Sequence, residues 1–209
     1  MALRRRSKIV GMAARWKAAL FAFALTLGMG HAEDLAAGKF LVASRDLGDP
    51  NFAETVVLIV SYDEKQGAMG LVVNRRTDVA LSRVFEDLKE AKGRTDAAYI
   101  GGPVELSTVM ALLKSSNPPA EAKHVFGDVY LVSTKTTLEK TLASGVGPNA
   151  FHVYVGYAGW SAGQLEHEVD LGGWHVFPAD AANVFHADPE SVWPRMIRRT
   201  ETQIARAAR

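Results

Sequence analysis

From residue 38 onward, apolar and polar positions fall into short blocks separated by turn residues. Gly38–Ser44 (GKFLVAS) reads as a strand, and Asp46–Asn51 (DLGDPN) as a turn, because Pro50 has no N–H to give to a ladder. Glu54–Tyr62 (ETVVLIVSY) is a β-branched run with the character of a central strand. Asp63–Gly67 then turns the chain into Ala68–Asn74 (AMGLVVN), which predicts a hairpin. Val79–Leu88 has apolar residues at 81, 84, 85 and 88, a helical stripe. Ala97–Gly101 and Val109–Leu113 read as short strands, Ser115–Lys123 as a loop, Asp128–Val132 as a strand, and Thr134–Leu142 as a helix ending near Gly145. Ala150–Tyr157 alternates with period two; a short helix follows from Ala162 to Val169, then a strand over Gly173–Phe177. Pro189–Arg199 reads as a last helix that Pro194 would bend or break.

Hairpin-linked strands with helices interspersed favour an α+β fold on a mixed sheet over a doubly wound parallel one. The 209 residues suffice for one domain with a real core. The chain has no cysteine, which excludes a disulfide framework, thiolate metal sites and a cysteine nucleophile. Its net charge of +1 hides an asymmetry: residues 1–32 hold six basic side chains and no acid, and the remainder carries 18 basic against 23 acidic ones, a net charge of −5. Such a body argues against nucleic acid as a partner, since nonspecific binding draws on Lys and Arg contacts to phosphate. Arg195, Arg198, Arg199, Arg206 and Arg209 gather at the C-terminus. They read as a solvated helix face running into a basic tail over 200–209.

The asymmetry marks an N-terminal leader. A basic stretch precedes the apolar run Ala18–Met29, and Gly30-His31-Ala32 then precedes Glu33-Asp34. Small residues at −3 and −1 fit signal-peptidase cleavage after Ala32. The apolar run of 12 residues is shorter than the roughly 20 that cross a bilayer, so no stable span is expected in the mature chain. A start at Met12 instead of Met1 would give a more compact leader. The expectation is an exported, periplasmic protein with a body over 33–199; a cytoplasmic protein with an N-terminal extension is the alternative.

The most pointed motif is Gly156–Glu166 (GYAGWSAGQLE), in which Gly159, Ser161 and Gly163 spell G-x-S-x-G between a strand and a short helix. That is the context of a serine-hydrolase nucleophile elbow, with Asp170 or Asp180 and then His175 or His186 downstream to complete the order Ser, acid, His, of which Asp180 and His186 are the candidates. His186 lies only 25 positions after Ser161, too few for the βα units an α/β-hydrolase places there, and no HGGG-type oxyanion segment lies upstream. The same letters also make a helix start. With Ser161 as N-cap, Gln164 falls at N3 as in a capping box, and Trp160 and Leu165 form the ends of a hydrophobic staple.

Other constellations are weaker. Glu166, His167 and Glu168 suggest a metal site, but residues two apart on a helix diverge. His152 and His175 would approach one another if their strands were neighbours, yet a metal needs three or four convergent ligands. Gly67–Gly70 leads into a strand and lacks the helix N-terminus of a phosphate loop. No metal and no cofactor is assigned. Asn74, Gly101, Gly102, Tyr157, Trp160 and Gln164 all fall at predicted strand or helix ends, where a cleft could form; they are the candidate ligand-cleft residues.

Several stretches resemble the AlgH/YqgE family of bacterial proteins, in family order: Gly38–Ser44; Asp49-Pro50-Asn51-Phe52; Val56–Val60; Gly67–Arg75; Tyr99–Val104; Val153–Glu166; Gly173–Asp180; then Phe185 and Trp193. The resemblance implies a single α+β domain built on a mixed, strongly bent sheet with helices around it. It implies no established activity, no cofactor and no catalytic set; a regulatory role has been attached to some members. The chain departs from the family's usual pattern at Ser161, where members carry Gly, and at Arg76, where they tend to have Pro. Glu105–Ser115 lacks the usual Leu-His ending, and the leader departs from the usual cytoplasmic form. The leading reading is therefore a binding or regulatory domain without catalysis, whose ligand is a small molecule or protein partner; a serine hydrolase using Ser161 is the alternative.

Overall fold

The computed structural model describes residues 35–207; the leader expected over 1–32 lies outside them. The β-branched run becomes β2 (Val56–Asp63), buried over its first five residues. The carboxylate of Asp63 accepts the N–H groups of Lys65 and Gln66 and tightens the turn into β3 (Gly67–Val72), which pairs antiparallel with β2 as the hairpin predicts. β1 (Lys39–Ala43) lies on the other flank of β2, and β10 (Trp174–Pro178) lies outside β1.

The pivot of the molecule is β9 (Phe151–Trp160). Its last three residues pair with β3, while the rest pairs antiparallel with β6 (Val104–Lys114) and, in parallel, with β5 (Ala97–Ile100). β4 (Arg76–Ala80) pairs with β5, and β7 (Lys123–Phe126) and β8 (Val129–Val132) follow β6, giving the order β10-β1-β2-β3-β9-β6-β8-β7. The parallel β5–β9 pair makes the sheet mixed, and the sheet curls into a half-barrel. Its curl brings β7 back over β2, where Lys123 Nζ donates to Ser61 Oγ at 3.1 Å.

Glycines permit the change of partner along β9. Gly156 bends the strand with φ +69°, and Gly101 bridges the parting strands: its carbonyl accepts from Val72 N–H and its N–H donates to the Val155 carbonyl. A Cβ on Gly101 would lie 2.3 Å from the Gly156 oxygen, and one on Gly102 would lie 2.2 Å from the Tyr157 carbonyl carbon, so only glycine fits either position.

Among the described residues five α-helices flank the sheet: α1 (Leu81–Val84), α2 (Lys135–Ala143), α3 (Gln164–Asp170), α4 (Ala181–Val184) and α5 (Val192–Ala207). The larger core joins Phe40, Leu58, Leu71, Tyr154 and Trp174 to Trp193 and Ile197 of α5. Trp193 Nε1–H also donates to the Ala43 carbonyl at 2.8 Å, which fixes α5 on β1. A smaller core under α1 and α2 gathers Leu81, Ala98, Leu113, Leu138 and Phe151. No described helix is long and apolar enough to cross a membrane.

Three local expectations are corrected. The stripe over 79–88 yields only the single turn of α1, because β4 reaches Ala80 to pair with β5, and Phe85 and Leu88 reach the smaller core from the turns that follow. The loop predicted to reach Lys123 ends in β7, whose polar exposed face masks it. Pro194 breaks nothing: it is the third residue of α5, where the missing N–H has no intrahelical acceptor, and the helix continues to Ala207.

Candidate functional site

Ser161 sits in an exposed turn ahead of α3, and the cap position belongs to Gly163, at φ +77° with no side-chain cap bond. This corrects the expected cap in part. Gln164 Oε1 accepts the Ser161 N–H at 3.2 Å, as a capping box requires, but Ser161 Oγ donates to that same Oε1 at 3.1 Å instead of receiving the Gln164 N–H. The Gln164 N–H bonds the Ser161 carbonyl. Trp160 and Leu165 are both buried in the larger core. Asp180 caps α4, accepting the Asn183 N–H at 2.8 Å and Asn183 Nδ2–H at 2.7 Å, while His186 Nδ1 sits against the Asp188 backbone, 2.8 Å from its carbonyl oxygen and 3.1 Å from its nitrogen. Ser161, Asp180 and His186 thus serve three separate local structures, with no hydrogen bond between any two of them.

The six cleft candidates are placed as follows. Asn74 ties down the start of β2, accepting Val56 N–H at 2.8 Å and donating to the Glu54 carbonyl at 3.0 Å. Gly101 and Gly102 fill the wedge against β9, and Tyr157 packs against the larger core. Trp160 and Gln164 converge on Glu168: its Oε2 accepts the indole N–H groups of Trp160 (2.9 Å) and Trp174 (2.8 Å), and its Oε1 accepts Gln164 Nε2 at 3.0 Å. Phe52 completes this cluster, stacked on Trp160 at 5.8 Å and edge-on to Trp174 at 5.5 Å. Glu166 turns elsewhere and accepts the Tyr62 hydroxyl at 2.7 Å, so the two carboxylates hold separate partners.

A cavity of about 520 Å³ opens at the other end of β9, between β4, β5 and the segment after α4. Its walls include Arg76, Asp96, Tyr99, His152, Phe185 and His186. His152 is buried and stacks on Tyr99 with ring centroids 4.5 Å apart; Phe185 packs on its other flank at 5.0 Å. His152 and His175 do not meet, because β3, β2 and β1 separate β9 from β10. Tyr99 Oη lies 3.4 Å from His152 Nε2, a long contact, and His152 Nδ1 has no hydrogen-bond partner. The carbonyls of Pro148 and Val184 come near enough to favour a charged ring without closing a bond to Nδ1. Tyr154, 5.4 Å behind Tyr99, has a buried hydroxyl that is likewise unpartnered.

Burial dominates the electrostatics here. It pushes His152 down to about 4, so the imidazole is neutral at pH 7, and it pushes the hydroxyls of Tyr99 and Tyr154 up. Burial also pushes the Asp96 carboxyl up, but the bidentate hydrogen bonds and charge of Arg94, at 2.6 and 2.7 Å, outweigh it and hold the group below its ordinary value. Among the described residues no three His, Asp or Glu side chains converge as metal ligands would.

Beyond geometry, the model of the family described as AlgH-like matches residues 40–205. The chain belongs to the AlgH-like family. A UPF0301 protein of Streptomyces coelicolor is 34% identical over 177 residues, covering 82% of the chain and 90% of its own length. A UPF0301 protein of Pseudomonas aeruginosa is 38% identical over 156 residues, covering 72% and 81%. Among solved structures, the AlgH protein of Pseudomonas aeruginosa matches with a TM-score of 0.65 at 35% identity, over 78% of this chain and 87% of that one. A crystal structure from Corynebacterium diphtheriae matches with a TM-score of 0.69 at 25% identity, over 86% and 94%.

The AlgH-like stretches now have addresses. Gly67–Arg75 holds β3, Tyr99–Val104 is the glycine wedge, and Val153–Glu166 runs along β9 into α3, towards Glu168. The cavity residues were missed because they come from four separate segments that meet only through the β4–β5 and β5–β9 pairings. The available signal was His152 itself, a polar residue at an inward position of an alternating strand.

Proposed function

We propose that this AlgH-like chain is a ligand-binding domain, regulatory in role and without catalysis of its own, and that its ligand enters the cavity beside His152. One observation carries the reading. Among the described residues, the two buried side-chain polar atoms without a partner, His152 Nδ1 and Tyr154 Oη, belong to one aromatic cluster, of which His152 lines this cavity and Tyr154 lies behind it. A buried polar atom left unpaired costs about 1–3 kcal/mol, and such atoms gather where a fold serves something besides its own stability. The local bonding supports the non-catalytic reading: the Asp96 carboxylate is taken by Arg94 and Thr77 Oγ1 donates to the Ala98 carbonyl, so this acid and this hydroxyl are both committed to the fold. The order of basic, apolar and small residues over 1–32 supports export to the periplasm with cleavage after Ala32.

A thermal-shift screen of the full chain against a chemically mixed library tests the site, since a ligand of the native state raises the apparent melting temperature. At least one compound should stabilise the wild type and lose its effect in Asn149→Trp, a substitution at an exposed position of the cavity wall. Stabilisation that survives Asn149→Trp would move the site elsewhere. Cell fractionation with N-terminal sequencing tests export; an intact leader in the cytoplasmic fraction would refute it.

A further inference from the structure

The walls of the cavity say what kind of molecule it takes. Arg76 stands directly opposite Tyr99 in the β4–β5 register and lines the same cavity as Tyr99 and His152. It makes no ion pair or side-chain hydrogen bond among the described residues. A guanidinium presents a planar fork of donors that fits a carboxylate bidentately.

The second consideration is charge balance. Asp96 is neutralised by Arg94, and His152 is neutral at pH 7. Arg76 is the wall cation without an ion-pair partner among the described residues; one guanidinium matches the single charge of a carboxylate and falls one charge short of a doubly charged phosphate, a shortfall that Asp78, also on the walls, widens. The third is shape. Tyr99, His152 and Phe185 give a wall of rings, and sites of this kind gain most of their contact area from flat apolar surface.

We propose that the cavity binds a small, singly charged carboxylate carrying a planar ring, its carboxylate on Arg76 and its ring against Tyr99, His152 and Phe185. The proposal rests on the cavity being the ligand site, and the experiment separates the two. Full-length protein is titrated with 2-naphthoate, 2-naphthamide, 2-naphthyl phosphate and acetate, following binding by NMR. The naphthoate should bind saturably. The amide, which lacks the charge, and acetate, which lacks the ring, should each bind roughly tenfold more weakly or not at all. Arg76→Gln should weaken naphthoate roughly tenfold while leaving the melting temperature of the free protein unchanged, and Arg76→Lys should fall between. Tighter binding of the phosphate, or naphthoate binding indifferent to Arg76→Gln, overturns the assignment. If naphthoate fails while a library compound binds and is lost in Asn149→Trp, the cavity stands and the ligand class falls. If neither binds, both fall.

Discussion

Strand β9 carries an aromatic cluster at each end, and the two clusters are bonded differently. At its C-terminal end, Trp160, Trp174 and Phe52 surround Glu168, whose carboxylate takes both indole N–H groups and the amide of Gln164. Every polar group that the rings bring is used. At its N-terminal end, Tyr99, His152, Tyr154 and Phe185 are packed as closely, yet their one internal polar contact is 3.4 Å long and two polar atoms go unpaired. A saturated cluster fixes a fold; an unsaturated one at a cavity keeps bonding capacity in reserve. The motif that first suggests an active site belongs to the saturated end.

The largest expected effect tests that saturation. Glu168→Ala strands two indole N–H groups on side chains only 5% and 2% exposed. With hydrogen bonds to a charged group worth about 1.5–3 kcal/mol each, the loss should be on the order of 4 kcal/mol, read from urea denaturation. Binding of 2-naphthoate by the protein that remains folded should not change. A loss under about 1 kcal/mol would mean that the two ends are energetically alike.

At the unsaturated end the test is pH. His152 titrates near 4 in the folded chain and near 6.5 when unfolded. Between those values the unfolded state binds a proton that the folded state refuses, so stability is full above pH 6.5 and falls as pH drops towards 4. The gap corresponds to about 3 kcal/mol. His152→Phe keeps the stacking on Tyr99, removes the titration and removes an unpaired nitrogen. It should be at least as stable as the wild type at pH 7 and should lose this part of the acid slope. His175, also lowered by burial, titrates in both proteins and cancels from the difference. Equal slopes in wild type and variant would show that His152 is solvated and the cluster open to water.

What was legible in the sequence follows from how local each signal is. β2 and β3 announce themselves by an unbroken apolar run and a turn, and α2 by its stripe behind Thr134, whose hydroxyl accepts the Thr137 N–H. The mixed, bent α+β architecture comes through the family-like stretches, which hold the glycine wedge and β9. β4 and β7 are short and mostly exposed, so no alternation marks them; their register with β5 and β8 makes them strands. The cavity is illegible for a related reason. Arg76 stands out only as a departure from a family proline, His186 only as a triad partner and His152 only as a possible neighbour of His175. The parallel β5–β9 pairing sets Tyr99 beside Tyr154 and brings its ring onto that of His152, and no local pattern encodes it.

The smallest expected effect concerns the residue that began as a nucleophile. Ser161 is exposed, its hydroxyl donates to Gln164 Oε1, and that oxygen still receives the Ser161 N–H when the hydroxyl is gone. Ser161→Ala should therefore change stability by less than about 0.5 kcal/mol, the range of surface positions that leave no buried group unpaired. A fluorophosphonate probe should label wild type and variant alike, at background. Labelling of the wild type that Ser161→Ala abolishes would place chemistry at the saturated end of β9 and invert the comparison, because a serine is activated only by a base within hydrogen-bond reach, and Ser161 Oγ now bonds an amide oxygen.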